Sequence, residues 1–458
     1  MSIKKTNVWQ QDKEHFLHPY TDFSSFEQTG SQIISHASGN YVGDQNGQQY
    51  LDAIAGLWCV NIGHGREEMA DAIGQQVKNM QYYNPFGHCS NEPAAELAAK
   101  LAALSPGSLN HVYYTCGGST ANESAIRIIH YYNNMRGKPN KKKIISRNDA
   151  YHGSTYVTAN LTGINATKIG FDRICDDWIS HVSAASMYRR PKGAEHLSEA
   201  DFCDFLVNEF ENHIANLGAD NVAAFIAEPI AGAGGVLVAP KDYHKRICDL
   251  CKANDILYIA DEVVTAFGRL GEWNVSQSIY GYEPDVIIYA KGINSGYVPL
   301  GAAVFSEQIY QVISKPQCDG GLFSMGFTYT GHAVACAAAL KNIEIIEAEN
   351  ILQHVRELSP TFFQLASKLL QSPIVGDVRG AGYMLGIELV ADKATKQSFD
   401  LSLGITNRIY EKCLEKGVIV RPVGHCIILS PPLTFGPEEI ELTINTLAAS
   451  IDEVANSL

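Results

Sequence analysis

Short runs of apolar residues, each followed by a charged or glycine-rich turn, recur through the middle of the chain. The runs at residues 256–260 and 286–290 are short and flanked by turn residues, which favours buried parallel strands over helices. The first run ends at Asp261-Glu262 and the second at Lys291. Because ligands bind at the carboxyl ends of strands in an open parallel sheet, this pattern places an acid and a lysine at one edge of the same sheet.

The alternation of strand and helix patterns extends from about residue 110 to residue 310. It predicts an α/β fold with a mostly parallel central sheet and helices on both faces. Within it, a strand pattern at 111–115 leads through the turn 116–120 into a helix from Ala121, and a strand at 222–227 ends at Glu228. Backbone N–H groups and hydroxyls at such a helix start suit a phosphate. The turn lacks the spacing of a dinucleotide site and the lysine of a P-loop, so an ordinary strand-to-helix turn stays open as an alternative.

The two ends of the chain show different patterns. The pattern in residues 1–60 predicts an N-terminal arm and part of a small domain. It includes a hairpin with a turn signal at Asn46-Gly47. Residues 61–330 predict the large domain. Residues 331–458 predict a smaller α+β domain, in which helices at 351–371, 402–416 and 437–456 alternate with strands at 374–390, 418–421 and 426–429.

Composition narrows the class of protein. The 458 residues are 46% hydrophobic and 18% charged, as in a globular protein with a large core. A net charge of −14 argues against a broad surface for nucleic acid or anionic lipid. No apolar run reaches the length of a membrane span, and the first sixteen residues contain no apolar segment of the secretory kind. We therefore expect no nucleic-acid or membrane partner.

The chain has eleven cysteines, an odd number, most of them in apparent core segments. This usage predicts a reduced, cytoplasmic protein. Cys248 and Cys251 have CxxC spacing in an apparent helix, with no second pair to complete a zinc site. They are interpreted as two residues of one helix face, although a redox or metal role stays open, and we expect no metal site.

An acid and a lysine at one sheet edge, with a phosphate-binding turn, suit pyridoxal phosphate (PLP). PLP forms a Schiff base with a lysine, and an aspartate partners its pyridinium nitrogen. A lysine that ends a strand is often only a solvated side chain, and an acid there is often a helix cap. Their occurrence together at matched strand ends, with glycine after the lysine, favours the cofactor over those ordinary roles.

The segment IADEVVTAFGRLG, followed downstream by YAKG, resembles the signature of the class III aminotransferases of PLP fold type I. The similarity covers nearly the whole chain. The segments GLWCVNIGHG, AYHGSTY, SGYVPLGA, GFTYTGH and GVIVRPVG resemble those of the ω-transaminases that use pyruvate. The resemblance implies a PLP-dependent fold of type I and a transaminase activity.

The resemblance also implies roles for individual residues. Lys291 would form the Schiff base and move the proton during the reaction, for which burial favours a neutral amine. Asp261 would keep the pyridine nitrogen protonated, and Glu228 would belong to the hydrogen-bond network near the ring. The other cofactor-binding residues implied are the phosphate-binding Gly118 and Ser119, the stacking Tyr151 with Val263 on the opposite face, and Thr328, which would reach the phosphate of a neighbouring subunit.

Substrate recognition is implied at four positions. Trp58, Phe86 and Tyr151 correspond to aromatic walls that suit amines without an α-carboxylate. Arg421 matches a mobile arginine whose planar fork would bind the carboxylate of pyruvate or alanine, although it could equally be a surface arginine ending a strand. The phosphate turn departs from the family pattern, since Thr120 stands where an acid is usual and Gly117 where serine is common; backbone N–H binding should survive this change.

We therefore expect an aminotransferase that moves an amino group from an ω-amino acid or primary amine to pyruvate, and works as a homodimer with shared sites. One alternative is a 4-aminobutyrate or acetylornithine type of enzyme that uses 2-oxoglutarate. A second is a PLP-dependent aminomutase, and a third is a non-enzymatic or nucleotide-binding α/β protein. The sequence identifies neither the amine donor nor whether dimers pair into tetramers.

Overall fold

The computed structural model describes residues 6–315 and 322–458. Residues 1–5 of the first predicted domain and 316–321 of the second lie outside this part. The α-helices are α1 (Asn7–His15), α2 (Phe23–Thr29), α3 (Ala55–Trp58), α4 (Glu67–Asn79), α5 (Glu92–Leu104), α6 (Gly118–Met135), α7 (Tyr156–Leu161), α8 (Glu199–Leu217), α9 (Tyr243–Ala253), α10 (Glu307–Ile313), α11 (Ala333–Ala348), α12 (Ile351–Ser367), α13 (Ile405–Glu415) and α14 (Pro437–Ala455). The strands are β1 (Ile34–Ser38), β2 (Tyr41–Asp44), β3 (Gln49–Asp52), β4 (Leu109–Thr115), β5 (Lys143–Arg147), β6 (Ile179–Val182), β7 (Val222–Ala227), β8 (Ile230–Ala231), β9 (Leu237–Val238), β10 (Leu257–Asp261), β11 (Val286–Tyr289), β12 (Gly301–Ser306), β13 (Val375–Ala381), β14 (Met384–Leu389), β15 (Val418–Ile419), β16 (Arg421–Val423) and β17 (Cys426–Leu429).

The central sheet has seven strands in the order β4-β12-β11-β10-β7-β5-β6. All neighbours are parallel except β12, which runs antiparallel to both β11 and β4. The prediction of a mostly parallel sheet is therefore confirmed. In the register of β10 and β11, Asp261 pairs with Ile288, so Lys291 follows only three residues beyond the partner of Asp261.

Both faces of the central strands are covered. The strands β7, β10, β11 and β12 are buried at every position. Along β10 and β11, Ile259 and Ile288 pack in one apolar cluster, whereas Tyr258 and Ile287 pack in another on the opposite face. This two-sided burial explains why the strands read as continuous apolar runs rather than alternating patterns.

The two ends of the chain meet in a second sheet of order β1-β2-β3-β15, in which Val418–Ile419 pairs in parallel with Gln49–Asp52. The prediction of one strand at 418–421 was wrong, because the chain leaves this sheet after Ile419 and joins another. Arg421–Val423 instead pairs antiparallel with Cys426–Leu429 at the edge of the sheet β13-β14-β17-β16. Pro422 lacks the N–H that a central strand would need, which suits this edge position.

Other predicted elements are confirmed with small shifts of their ends. The helix expected from Ala121 begins at Gly118, the helix at 402–416 begins at Ile405, and the helix at 351–371 ends in a 3₁₀ turn, Lys368–Gln371. The helix α11 packs against α4 and α5. The boundaries near residues 60 and 330 stay a prediction.

Two further predictions concern cysteines and membranes. Cys248 and Cys251 lie buried on α9, where burial raises the pKa of both thiols, that of Cys248 to about 12. All ten cysteines in the described part are free, and that part contains no cluster of side chains arranged for a metal ion. None of its helices has the length and apolar character needed to cross a bilayer.

Candidate active site

Asp261 lies at the carboxyl end of β10 and is only 3% exposed. Its Oδ2 accepts a hydrogen bond from Asn122 Nδ2 at 2.8 Å and lies 2.7 Å from Nδ1 of His152. Its Oδ1 accepts a bond from the backbone N–H of Val263 at 3.2 Å. Three groups from different elements therefore hold this buried carboxylate in one orientation, with Asn122 on α6 and His152 on the loop after β5.

Lys291 follows β11 and opens a short 3₁₀ turn, Lys291–Ile293. Its φ of 47° lies in the left-handed region, which non-glycine residues rarely adopt and which often marks a functional site. Burial lowers the pKa of Lys291, while Glu228 and Asp261 oppose this shift and Arg421 adds to it. A lysine in this setting gives up its proton more readily than a solvated one.

The turn before α6 brings the helix N-terminus against the strand ends. A Cβ on Gly118 would lie 3.2 Å from Val263 Cγ2 and 3.7 Å from the Cβ of Ala290, so the glycine allows a close approach. Ser119 Oγ accepts a hydrogen bond from the backbone N–H of Ser154 at 3.1 Å. The first turn of α6 contains no acidic residue and its helix runs for 18 residues, so its free N–H groups favour an anion.

Glu228 and Tyr151 are held together behind this site. Glu228 accepts backbone hydrogen bonds from Tyr151 and Gly232, both at 2.9 Å. Burial raises the pKa of Glu228, and the nearby Asp261 adds to the shift. The hydroxyl of Tyr151 lies 3.0 Å from Ser154 Oγ and 3.2 Å from the hydroxyl of Tyr20, and burial raises its pKa to about 12.

Trp58 and Arg421 adjoin the same group of residues. A Cβ on Gly232 would lie 3.7 Å from both Trp58 Cη2 and Glu228 Oε2, so the buried indole and the Glu228 carboxylate both border Gly232. Arg421 opens β16 and is half-buried. Burial lowers the pKa of its guanidinium, against the influence of Tyr151 and Tyr20.

Phe86 and Thr328 lie together in a separate patch. A Cβ on Gly326 would lie 2.8 Å from Phe86 Cε1, and the hydroxyl of Tyr82 donates to the carbonyl of Thr328 at 2.7 Å. Phe86 is 51% exposed. Among the described residues, no hydrogen bond or ring contact joins this patch to the group around Lys291.

The residues present fit PLP in three ways. A fixed carboxylate, a buried amine and an acid-free helix N-terminus converge at one edge of the sheet, and these are the groups that the ring nitrogen, the aldehyde and the phosphate require. Gly118 leaves space at the helix start that a side chain would fill. His152 Nε2 is buried and has no partner among the described residues, so a polar group can still be accommodated beside Asp261.

Comparison with known proteins decides the family. The family model for class-III aminotransferases matches residues 25–451. The chain belongs to the class III aminotransferases. It is thus a PLP-dependent transaminase of fold type I, as the signature segments predicted.

The chain is 40% identical to a putrescine–pyruvate aminotransferase of Pseudomonas aeruginosa, over 98% of this chain and 97% of that protein. It is 38% identical to mitochondrial gamma-aminobutyrate transaminase 1 of Oryza sativa subsp. indica, over 89% of this chain and 79% of that one.

Two solved structures share its fold. A thermostable (S)-enantioselective omega-transaminase from Thermomicrobium roseum superposes with a TM-score of 0.94 at 38% identity, covering 98% of both chains. The omega transaminase from Pseudomonas jessenii in complex with PMP superposes with a TM-score of 0.95 at 34% identity, covering 99% of both.

Several site residues were missed from the sequence. Asn122 lies on α6, three residues after Ser119, and His152 is adjacent to Tyr151. Both residues are close in sequence to predicted site residues, and this closeness could have identified them. No such signal pointed to Tyr20, because it lies in the N-terminal arm, 131 residues from the Tyr151 that it contacts.

Proposed function

We propose that this class III aminotransferase moves an amino group from an ω-amino acid or primary amine to pyruvate, forming L-alanine and an aldehyde or ketone. The observation that carries the proposal is Arg421. It is half-buried beside Tyr151, and within the described ranges no hydrogen bond or ion pair occupies its guanidinium. An arginine without a fixed partner can bind the carboxylate of pyruvate bidentately and withdraw from a donor that has none.

Each residue around Lys291 then has a defined task. When bound, PLP supplies an electron sink for the negative charge that develops at the donor carbon. The lowered pKa of Lys291 suits its Nζ to removing a proton from that carbon and returning it. Asp261, held by Asn122 and His152, keeps the ring nitrogen protonated. The carboxylate of Glu228 supports the backbone of Tyr151 beside the ring.

We assign the remaining cofactor contacts to the start of α6 and the residues around it. The N–H groups at Gly118 and the Ser119 hydroxyl bind the phosphate, while Tyr151 and Val263 enclose the two ring faces. Thr328 and Phe86 belong to the separate exposed patch. In a dimer, this patch could contribute both side chains to the active site of the second copy. We accordingly assign a homodimer with shared sites as the working assembly, and a tetramer would be a pair of such dimers.

Trp58 and Tyr151, together with Phe86 from a second copy of the chain, form aromatic walls for the carbon chain of the donor. These walls are apolar enough for amines without an α-carboxylate. The relative from P. aeruginosa is named for putrescine and pyruvate, which supports testing aliphatic diamines first. The free thiols fit a cytoplasmic location.

A donor panel tests the function. Purified enzyme is incubated with pyruvate and, in turn, putrescine, β-alanine, 4-aminobutyrate and an arylalkylamine, and L-alanine is measured. Parallel reactions with 2-oxoglutarate are scored for glutamate. Alanine formation dependent on one of these donors supports the proposal, whereas glutamate as the dominant product favours the 2-oxoglutarate type and an isomerised amine without any acceptor favours the aminomutase.

Lys291→Ala is the matching control. The variant should lose the visible absorbance of the cofactor–lysine adduct and nearly all turnover, because no other group supplies the amine at this position. A variant that kept both would remove Lys291 from its assigned role. Folding is checked separately by circular dichroism.

A further inference from the structure

The segment that carries Trp58 has a strained backbone. Ala55, Gly56 and Trp58 have φ angles of 48°, 66° and 65°, so two non-glycine residues adopt the left-handed region within four positions. Such residues persist only where their surroundings hold them. The turn closes on itself through the Trp58 N–H, which donates to the carbonyl of Ile54 at 2.9 Å, but this bond does not attach it to the sheet.

Asp52 supplies that attachment. Its side chain is 2% exposed. Its Oδ2 accepts a hydrogen bond from the Gly56 N–H at 2.7 Å and lies 2.9 Å from Nε2 of His64, while its Oδ1 accepts from the Ile54 N–H at 3.2 Å. Both carboxylate oxygens therefore hold backbone groups of the turn, and His64 bonds the same oxygen as Gly56.

Asp52 is also the last residue of β3, which pairs with β15, the strand just before Arg421. It pairs with Ile419, two residues before Arg421, and the next residue, Ala53, donates its N–H to the carbonyl of Ile419 at 3.1 Å. The backbone of this pair does not depend on the Asp52 side chain. The carboxylate therefore acts on the Trp58 side of the substrate pocket alone, while the strand pairing holds the Arg421 side.

We propose that Asp52, braced by His64, is a positioning residue that sets the location of Trp58 and thereby the selection of amine donors. The proposal rests on the assignment of Trp58 and Arg421 as substrate-binding residues under the proposed function. An asparagine at this position has one acceptor oxygen in place of two. Its NH₂ group must face either the Ile54 N–H or the Gly56 N–H and His64, so one side of the turn loses its acceptor.

Asp44 offers a matched control in the same sheet. It is 5% exposed, and its Oδ1 accepts from the backbone N–H groups of Asn46 and Gln48 at 2.8 and 3.1 Å. The turn that it holds carries no candidate substrate residue. Asp44→Asn therefore makes the same chemical change to a similarly buried carboxylate without touching Trp58.

The test compares wild-type, Asp52→Asn and Asp44→Asn holoenzymes in two half-reactions, followed by cofactor absorbance. One uses L-alanine, whose carboxylate engages Arg421, and the other uses an arylalkylamine, whose ring reaches Trp58. We expect the amine-to-alanine ratio of kcat/KM to fall about tenfold in Asp52→Asn, since a hydrogen bond to a charged group is lost. The ratio should change by less than about twofold in Asp44→Asn, where no substrate residue moves.

A second pair of variants tests the brace. His64→Gln keeps an N–H donor for Asp52 and should retain the wild-type donor ratio. His64→Leu removes that donor and should lower the ratio in the direction of Asp52→Asn. Equal ratios in the two His64 variants would remove His64 from the proposal.

A readout without substrate separates positioning from general destabilisation. Asp52 also opposes the burial that lowers the pKa of Arg269 to about 10, so Asp52→Asn should lower Tm as well. Hydrogen–deuterium exchange of the full-length holoenzyme without substrate should show about tenfold faster exchange of the Gly56 amide in Asp52→Asn. Unchanged exchange, or donor ratios equal to those of Asp44→Asn, would overturn the positioning role. Wild-type protein that processed neither donor would refute the proposed function instead, while the exchange result would still decide whether Asp52 holds the turn.

Discussion

Gly153 is the position where one added methyl group should most directly disturb phosphate binding. Its φ is +138°, a conformation that side-chain-bearing residues rarely adopt. A Cβ there would lie 2.6 Å from the hydroxyl oxygens of Ser119 and Thr158, and 2.8 Å from the Cα of Ser119. The last contact is with backbone, so rotation of a side chain cannot relieve it. Gly153→Ala should therefore push Ser119 and the start of α6 away from their places.

The magnitude follows from two contributions. A residue forced into such a backbone conformation costs about 1–3 kcal/mol, and an overpacked methyl group costs a further ~1–3 kcal/mol. The variant should be destabilised by roughly 2–6 kcal/mol in total. If Ser119 loses the hydrogen bond proposed between it and the charged phosphate, ~1.5–3 kcal/mol of binding disappears. PLP should then bind about tenfold to a hundredfold more weakly.

Gly137→Ala is the control for backbone strain alone. Gly137 has a φ of +74° and no heavy atom within 4 Å of its added Cβ. Thermal unfolding of the cofactor-free proteins measures stability, and titration with PLP followed by absorbance measures its Kd. Gly137→Ala should lose about 1–2 kcal/mol of stability and bind PLP as the wild type does.

A Gly153→Ala protein with wild-type affinity for PLP would refute the reasoning. It would show that Ser119 and the first turn of α6 do not bind the phosphate, or that the loop adjusts without moving them. Equal destabilisation in the two glycine variants would refute the overpacking contribution separately, because only Gly153 has neighbours within contact.

Three further outcomes are expected. Arg421→Leu should raise KM for pyruvate about tenfold or more, since a charge-assisted bidentate pair is lost, but change KM for an amine without carboxylate by less than about twofold; steady-state kinetics with each substrate varied distinguishes the two, and equal effects on both would contradict the assigned role. Glu228→Gln removes a negative charge that raises the pKa of Lys291, so the amine should become neutral at lower pH. The acidic limb of the pH profile of kcat, which reports groups in the substrate complex, should then move to lower pH; a move to higher pH would show that the sign is wrong. Tyr20→Phe removes one exposed hydroxyl that lies 3.2 Å from Tyr151 and 3.3 Å from Ser154. It should lower kcat/KM for the preferred amine by no more than about fivefold and leave Tm unchanged, whereas a complete loss of activity would mean that Tyr20 does more than support Tyr151.

Much of the fold could be predicted because its signals are local. The strands β10 and β11 read as short apolar runs since both of their faces are buried, and Asp261 and Lys291 stand where those runs stop. The parallel direction of neighbouring strands then brings both strand ends to one edge. The strand 418–421 was mispredicted for the converse reason. Its apolar residues look the same whether they pair with one sheet or with two, and only the partner strands decide.

The sequence by itself determined the order of strands and helices, the acid and lysine at two strand ends, and the signature that implies the cofactor. The tertiary structure alone decided which groups surround them. Asn122 and Asp261 are hydrogen-bonded although 139 residues apart, Tyr20 and Tyr151 although 131 apart, and Asp52 lies beside Ile419 because β3 pairs with β15. Contacts of this kind depend on how sheets and loops pack in three dimensions, and no local periodicity encodes them.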